Sequence, residues 1–111
     1  MPHIRVRGLA FEDLESISDR LIEALAKELD TPADNFTLEY QAVAYLVAGG
    51  ASSAYPFFDI LWFDRGDKAK SNVAQIITER VKPLIDEGKD ICVVFNNIKG
   101  NDYFENGESF A

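Results

Sequence analysis

The fold turns on the stretch that opens Pro2-His3-Ile4-Arg5-Val6-Arg7-Gly8 and on its echo half a chain later. Ile4 and Val6 alternate with His3, Arg5 and Arg7, the two-residue period of a strand, and Gly8 closes it. Leu14, Ile17, Leu21, Leu25 and Leu29 then recur at helical spacing. Glu12, Asp13 and Glu15 sit at the start of this helix, where its dipole favours acids, and Thr31-Pro32 stops it. Phe36, Leu38, Tyr40 and Ala42 alternate with Thr37, Glu39 and Gln41, which predicts a second strand running on through Tyr45 to Val47. The stretch reads as one β-α-β unit.

After a Gly49-Gly50-Ala51-Ser52-Ser53 loop the scheme starts again. Tyr55 to Phe63 predicts a buried, aromatic-rich strand, and Asp64-Arg65-Gly66 a turn. Val73, Ile77, Val81 and Leu84 predict a second helix, with Pro83 in its last turn and Gly88 after it. Ile91 to Phe95 predicts a fourth, almost wholly apolar strand. An offset of 56 carries Ile17 onto Val73, Leu21 onto Ile77, Leu25 onto Val81 and Leu38 onto Val94, while Pro2 matches Pro56 with a two-residue slip. The chain therefore reads as a single domain over 1–111, built of two pseudo-repeats (about 1–48 and 55–98) and a tail (99–111). In the tail, Tyr103, Phe104 and Phe110 surround Asn106-Gly107, a hairpin turn signal. The expected fold class is α+β: a duplicated β-α-β with a four-stranded sheet, both helices on one face and a C-terminal hairpin.

Composition bounds the function. The 111 residues carry 47% hydrophobic and 27% charged side chains, enough for one core without disulfides or structural metal. Eleven bases against 19 acids leave −8, which argues against nonspecific nucleic-acid or anionic-lipid binding. Residues 12–30 hold seven acids against two bases, and residues 86–108 six against two, so the acid is concentrated. Cys92 is the lone cysteine and reads as a buried small hydrophobe; His3 is the lone histidine and cannot build a zinc cage. With neither a signal peptide nor a membrane-length apolar run, the expectation is a soluble, cytoplasmic protein.

Pro2 is the residue that carries chemistry. Methionine before a small second residue is commonly trimmed, which would leave Pro2 as a free secondary amine. An α-amino group titrates near pH ~8, and burial or a nearby cation lowers that toward working pH. Such an amine can take a proton alpha to a carbonyl and return it elsewhere. Taken alone, Pro2 reads more simply as a strand-starting proline.

Met1-Pro2-His3-Ile4-Arg5-Val6, the repeat and the tail resemble the tautomerase superfamily. Gly49-Gly50-Ala51-Ser52-Ser53 before Pro56, and the ending Asn106-Gly107-Glu108-Ser109-Phe110-Ala111, resemble its macrophage migration inhibitory factor branch. Tyr55-Pro56-Phe57 and Leu61-Trp62-Phe63-Asp64-Arg65-Gly66 are similar to a small bacterial family of unknown function within that superfamily. The resemblance implies a homotrimer, a pocket at each subunit interface with Pro2 as catalytic base or acid, small and often anionic carbonyl or enol substrates, and no cofactor. The lysine that the cytokine branch places before its second strand falls near Thr31 here, and its tyrosine and asparagine near Val93 and Val94.

Candidate substrate-binding residues are Arg65, Phe63, Tyr103 and Arg5. Arg65, in the turn after the third strand, can fork onto a carboxylate, or pair structurally with Asp64 or Asp67. Arg5 and Arg7 lie on the Pro2 strand, where they would depress its basicity; alternatively Arg5 pairs with Asp59 or Glu39. Phe57, Phe58, Phe63, Trp62 and Phe104 are candidate walls, with Phe58 and Trp62 reading rather as core. Tyr103 is the better pocket residue, since its hydroxyl sits near the tail hairpin. His3 should point to the opposite sheet face from Pro2 and is discounted as a catalyst. The functional expectation is a cofactor-free, tautomerase-like proton-transfer protein. The alternative is a silent trimeric binding or structural protein of the same fold. A ferredoxin-like ligand-sensing domain is disfavoured by the Ala48–Tyr55 spacer and the Asn106-Gly107 turn.

Overall fold

Alternation along two central strands organises the protein. The computed structural model describes residues 1–52 and 54–111. Its elements are β1 (His3–Arg7), α1 (Phe11–Glu28), β2 (Thr37–Tyr40), β3 (Tyr45–Val47), β4 (Gly50–Ser52), β5 (Phe57–Phe63), α2 (Asp67–Val81), β6 (Cys92–Ile98), β7 (Phe104–Glu105) and β8 (Glu108–Ser109). The four-stranded sheet runs β2-β1-β5-β6. Each half contributes a parallel pair, β1 with β2 and β5 with β6, and the halves meet antiparallel at β1–β5.

Ile4 and Val6 of β1 and Phe58, Ile60 and Trp62 of β5 point to the helix side, at most 1% exposed. They meet Leu14, Leu21 and Leu25 of α1 and Val73, Ile77 and Val81 of α2. Each such side chain stabilises the fold by about 1.5–3 kcal/mol on burial. The Trp62 indole stays satisfied by donating to Asn97 Oδ1 at 2.9 Å. Both helices thus cover one face, as the period of their leucines and valines requires. Helix α2 starts cleanly because Asp64 Oδ1 accepts the Gly66 N–H at 2.9 Å, closing the turn ahead of it. Pro83 falls in a 3-10 turn, Lys82–Leu84, that finishes the helix.

Three expectations are corrected. The second strand ends at Tyr40; Tyr45–Val47 is a separate strand, because past the Gln41 N–H, which still donates to the Val6 carbonyl at 2.8 Å, the backbone leaves the sheet. The glycine-rich stretch is not a simple loop: Gly50–Ser52 pairs back on Tyr45–Val47 as a hairpin turned at Ala48-Gly49. Ser53, the last residue of that expected loop, lies outside the described residues. Cys92 is half-buried rather than buried, at the start of an edge strand. The β3–β4 hairpin shows Leu46 79% and Val47 57% exposed, a large apolar display for a protomer.

The open face of the sheet carries a charged row. Glu39, Arg5 and Asp59 lie abreast on β2, β1 and β5. Arg7 lies over the Phe57 ring at 4.2 Å. The tail hairpin turns through Asn106 at φ 53° and Gly107 at φ 82°, the pair of left-handed residues that a tight hairpin demands.

Gly8, at φ 86°, has no room for a side chain: a Cβ there would collide with the Tyr55 carbonyl. Gly88, at φ 89°, faces open space. Gly88→Ala should therefore cost about 1–2 kcal/mol, the left-handed penalty alone. Gly8→Ala should cost clearly more, above about 2 kcal/mol, because backbone must also move. Urea unfolding of the two variants side by side checks this; equal losses would refute the close approach of β1 and the Tyr55 segment.

Candidate active site

The site is assembled from three places far apart in sequence. Pro2 lies buried at the head of β1, and its carbonyl accepts the Thr37 N–H at 3.1 Å, the first rung between β1 and β2. The preceding Met1 amine donates to the Asn35 carbonyl at 2.9 Å. With Met1 attached, the Pro2 nitrogen is an amide and has no basic lone pair.

Arg65 follows β5 and reaches across to the end of α1, where its Nη1 donates to the Leu29 carbonyl at 3.1 Å. Neither expected partner holds it. Asp64 is taken by the Gly66 N–H and by Lys70, 3.8 Å away. A helix C-terminus presents unpaired carbonyls and partial negative charge, so it is a sound anchor for a guanidinium. The anchor uses one nitrogen and leaves the remaining donors of the fork for another partner.

The tail supplies the third part. The Phe110 N–H is shared between the carbonyls of Gly100 and Tyr103, at 3.2 and 3.0 Å, which folds the tail onto itself. Phe63, Tyr103 and Phe110 form an aromatic triad with ring centroids 4.9–5.8 Å apart. This triad fastens the hairpin to the end of β5. The Tyr103 ring also lies 6.4 Å from His3, and its hydroxyl is 3.4 Å from Glu105 Oε2.

Electrostatics tie these parts to the amino terminus. Burial pulls the Met1 amine below the usual α-amino range; Glu105 opposes this and Arg65 reinforces it. His3 is lowered by burial first, then by the amino terminus and Arg5, against Glu105 and Glu39. Tyr103 is raised, by desolvation and then by Glu105. One fixed cation and one carboxylate therefore flank the chain's first nitrogen, beside an aromatic wall. Such a group can bind a small acid at the guanidinium and exchange a proton at a neighbouring amine.

Of the expected site residues, Pro2, Arg65, Phe63 and Tyr103 are brought to this end of the sheet. Arg5 is not. It sits on the open face with Nε 3.8 Å from Glu39, the structural pairing that was its alternative reading. Asp59 beside it accepts a short hydrogen bond from the Asn96 amide. The charges acting on the Met1 amine are Glu105 and Arg65. Phe58 and Trp62 are core, and Phe104 is 62% exposed on the hairpin. The sequence reading missed Glu105 and Phe110 and discounted His3. Its own alternation put His3 on the open face with Phe63, and the Asn106-Gly107 turn put 105 beside 103; both signals were present. Among the described residues, no group of three His, Cys, Asp or Glu is placed to hold a metal, and no helix is long and apolar enough to cross a membrane.

The model of the family described as Domain of unknown function (DUF1904) matches residues 1–109. The chain belongs to this family. A crystal structure of a DUF1904 domain from Sebaldella termitidis ATCC 33386 is 37% identical, covers 99% of this chain and 100% of that one, and superposes at a TM-score of 0.92. The macrophage migration inhibitory factor-like protein of Entamoeba histolytica shares the fold at 15% identity, 98% coverage of both chains and a TM-score of 0.76. So does Pt0534, in a structure inactivated by 2-oxo-3-pentynoate, at 16% identity, 97% and 94% coverage and a TM-score of 0.76. No curated protein matches the chain. The family thus carries the tautomerase-superfamily fold, as the sequence resemblance implied.

Because His3 is held below its ordinary value, the folded state resists protonating it. Its contribution to stability is whole above the unfolded imidazole value of about 6.5. That contribution drains away as pH falls through the lower, folded value. The His3 ring resonances should titrate with a midpoint below about 6.5, and His3→Gln should remove this segment of the stability profile. A midpoint at or above the unfolded value would contradict the placement described.

Proposed function

We propose that this protein, once Met1 is removed, is a cofactor-free proton-transfer catalyst of the tautomerase type, with Pro2 as its acid–base group. The observation that carries the reading is the grouping of the amino terminus, Arg65, Tyr103 and Glu105 at one end of the sheet. Removal of Met1 converts the Pro2 amide into a secondary amine in a partly dry setting. Arg65 binds the carboxylate of a small keto or enol acid. Pro2 removes a proton alpha to the carbonyl and returns it to the alternative atom. Phe63 and Tyr103 wall the substrate. Glu105, through its charge, holds the amine more basic than Arg65 alone would leave it.

The protein acts as a homotrimer in this reading, and as a single domain of two β-α-β repeats working in the cytoplasm. The exposed apolar side chains of the β3–β4 hairpin support assembly, since a neighbour would cover them. The edge strands β2 and β6 offer places for such pairing. A substrate pocket would then lie where protomers abut, with the tail hairpin reaching toward it.

The test uses a conjugated ynone acid, 2-oxo-3-pentynoate. A free secondary amine adds to its alkyne carbon: a C–N bond forms, and the amine proton passes to the neighbouring carbon. Methionine-processed protein should gain the mass of one reagent molecule per chain, on the Pro2 peptide. Protein that keeps a residue ahead of Pro2 should gain none there. Processed protein that stays unlabelled at Pro2, or Arg65→Gln protein labelled as fast as wild type, would defeat the proposal. Sedimentation equilibrium of the processed protein should give three chains of 12.4 kDa; a monomer at working concentration would remove the interfacial pocket.

A further inference from the structure

The helix layer holds a second concentration of positive charge, on residues that take no part in the candidate active site. Helices α1 and α2 run antiparallel. At one end Asn72 donates to Glu28 at 2.9 Å, and at the other Ser16 and Ile17 share a hollow with Pro83 and Leu84. Two adjoining hollows follow the groove between them. One, of about 510 Å3, is lined by Arg20, Glu23, Ala24, Lys27 and Arg80. The other, of about 680 Å3, shares Arg20 and Arg80 and continues over Ile17, Pro83 and Leu84, with Ser16 and Glu79 at its rim.

The charge pattern is not what the chain as a whole would give. Residues 12–30 hold seven acids and only two bases, Arg20 and Lys27. Those two stand seven positions apart, two helical turns, and so fall on the same stripe of α1. Arg80 faces them from α2. Among the described residues, none of the three has a carboxylate within 4.0 Å. Two carboxylates also line the groove. Glu79 accepts from the Gln75 amide at 3.0 Å, and Glu23 lines the first hollow beside Arg20, Lys27 and Arg80. Three cations thus face two acids across a floor of Ala24, on a protein of net charge −8. Ile17, Pro83 and Leu84 give the second hollow an apolar stretch.

We propose that this groove binds an amphipathic monocarboxylate, its head forked by Arg20 and Arg80 beside Lys27 and its short hydrocarbon body lying on Ile17, Pro83 and Leu84. Two guanidinia match a planar carboxylate by paired hydrogen bonds. The small surplus of positive charge suits a single negative charge better than two, and Glu23 repels a dianion such as phosphate. The adjoining apolar stretch gives the hydrocarbon somewhere to bury. None of its lining residues belongs to the candidate active site, so the inference does not rest on the Pro2 chemistry.

The probe is octanoate, titrated into the whole 15N-labelled chain, with acetate and inorganic phosphate as comparisons. Saturable amide shifts should be confined to residues 16–27 and 79–84, with acetate and phosphate at least about tenfold weaker. Arg20→Gln and Arg80→Gln should each weaken octanoate about tenfold without moving the melting temperature, because both side chains are exposed. Glu23→Gln should tighten it, and added potassium chloride should weaken it. Shifts centred elsewhere, non-saturating shifts, or octanoate binding indifferent to both salt and Glu23→Gln would overturn the proposal. Phosphate binding more tightly than octanoate would overturn the assignment of ligand class.

Discussion

Everything in this protein depends on the two central strands meeting antiparallel in one register. Arg5 opposite Asp59 and Ile4 opposite Ile60 mean that the buried sets of β1 and β5 fall on the same side of the sheet. A slip by one residue would turn Ile4 and Val6 to the open face and bring His3, Arg5 and Arg7 against the helices. Burying those charges unpaired is far costlier than any gain elsewhere, so the register is not negotiable. The same register seats Pro2 at the sheet's end, buried, and puts His3 out on the open side.

From that constraint the candidate site follows as a meeting of chain ends. The amino terminus arrives by β1, Arg65 by the exit of β5, and the carboxyl-terminal hairpin by the aromatic triad on Phe63. Each is weakly held alone. Arg65 has one carbonyl, the hairpin has three rings, and the terminus has the Asn35 carbonyl. Together they put a cation and a carboxylate around one nitrogen. The opposing pulls of Arg65 and Glu105 leave that nitrogen's basicity adjustable by either residue, and burial adds to the side of Arg65.

Much of this was legible in the residues. The leucine and valine periods marked both helices, and the glycine at 107 after Asn106 marked the tail turn. Proline at both strand heads pointed to the duplicated β-α-β fold, and the Leu61–Gly66 run to a small bacterial family of unknown function, as the family match bears out. The errors share one cause. Tyr45–Val47 looked like a continuation because alternation persists through it, but alternation is blind to where a strand changes partner. For Arg65 the alternative reading offered only the neighbouring acids Asp64 and Asp67, because sequence shows only neighbours; the Leu29 carbonyl lies 36 residues away.

The sequence by itself determined which residues are buried and in what periodic order, because hydrophobic burial acts on pattern and pattern is local. It thereby settled the β-α-β units and the two-layer arrangement. Only the tertiary structure decided which charges share a neighbourhood: Arg65 and Glu105 about the amino terminus, Arg20 and Arg80 across the helix groove, Arg5 with Glu39. Electrostatic effects fall off with distance in space, and spatial distance between far-apart residues is written nowhere in the order of the chain.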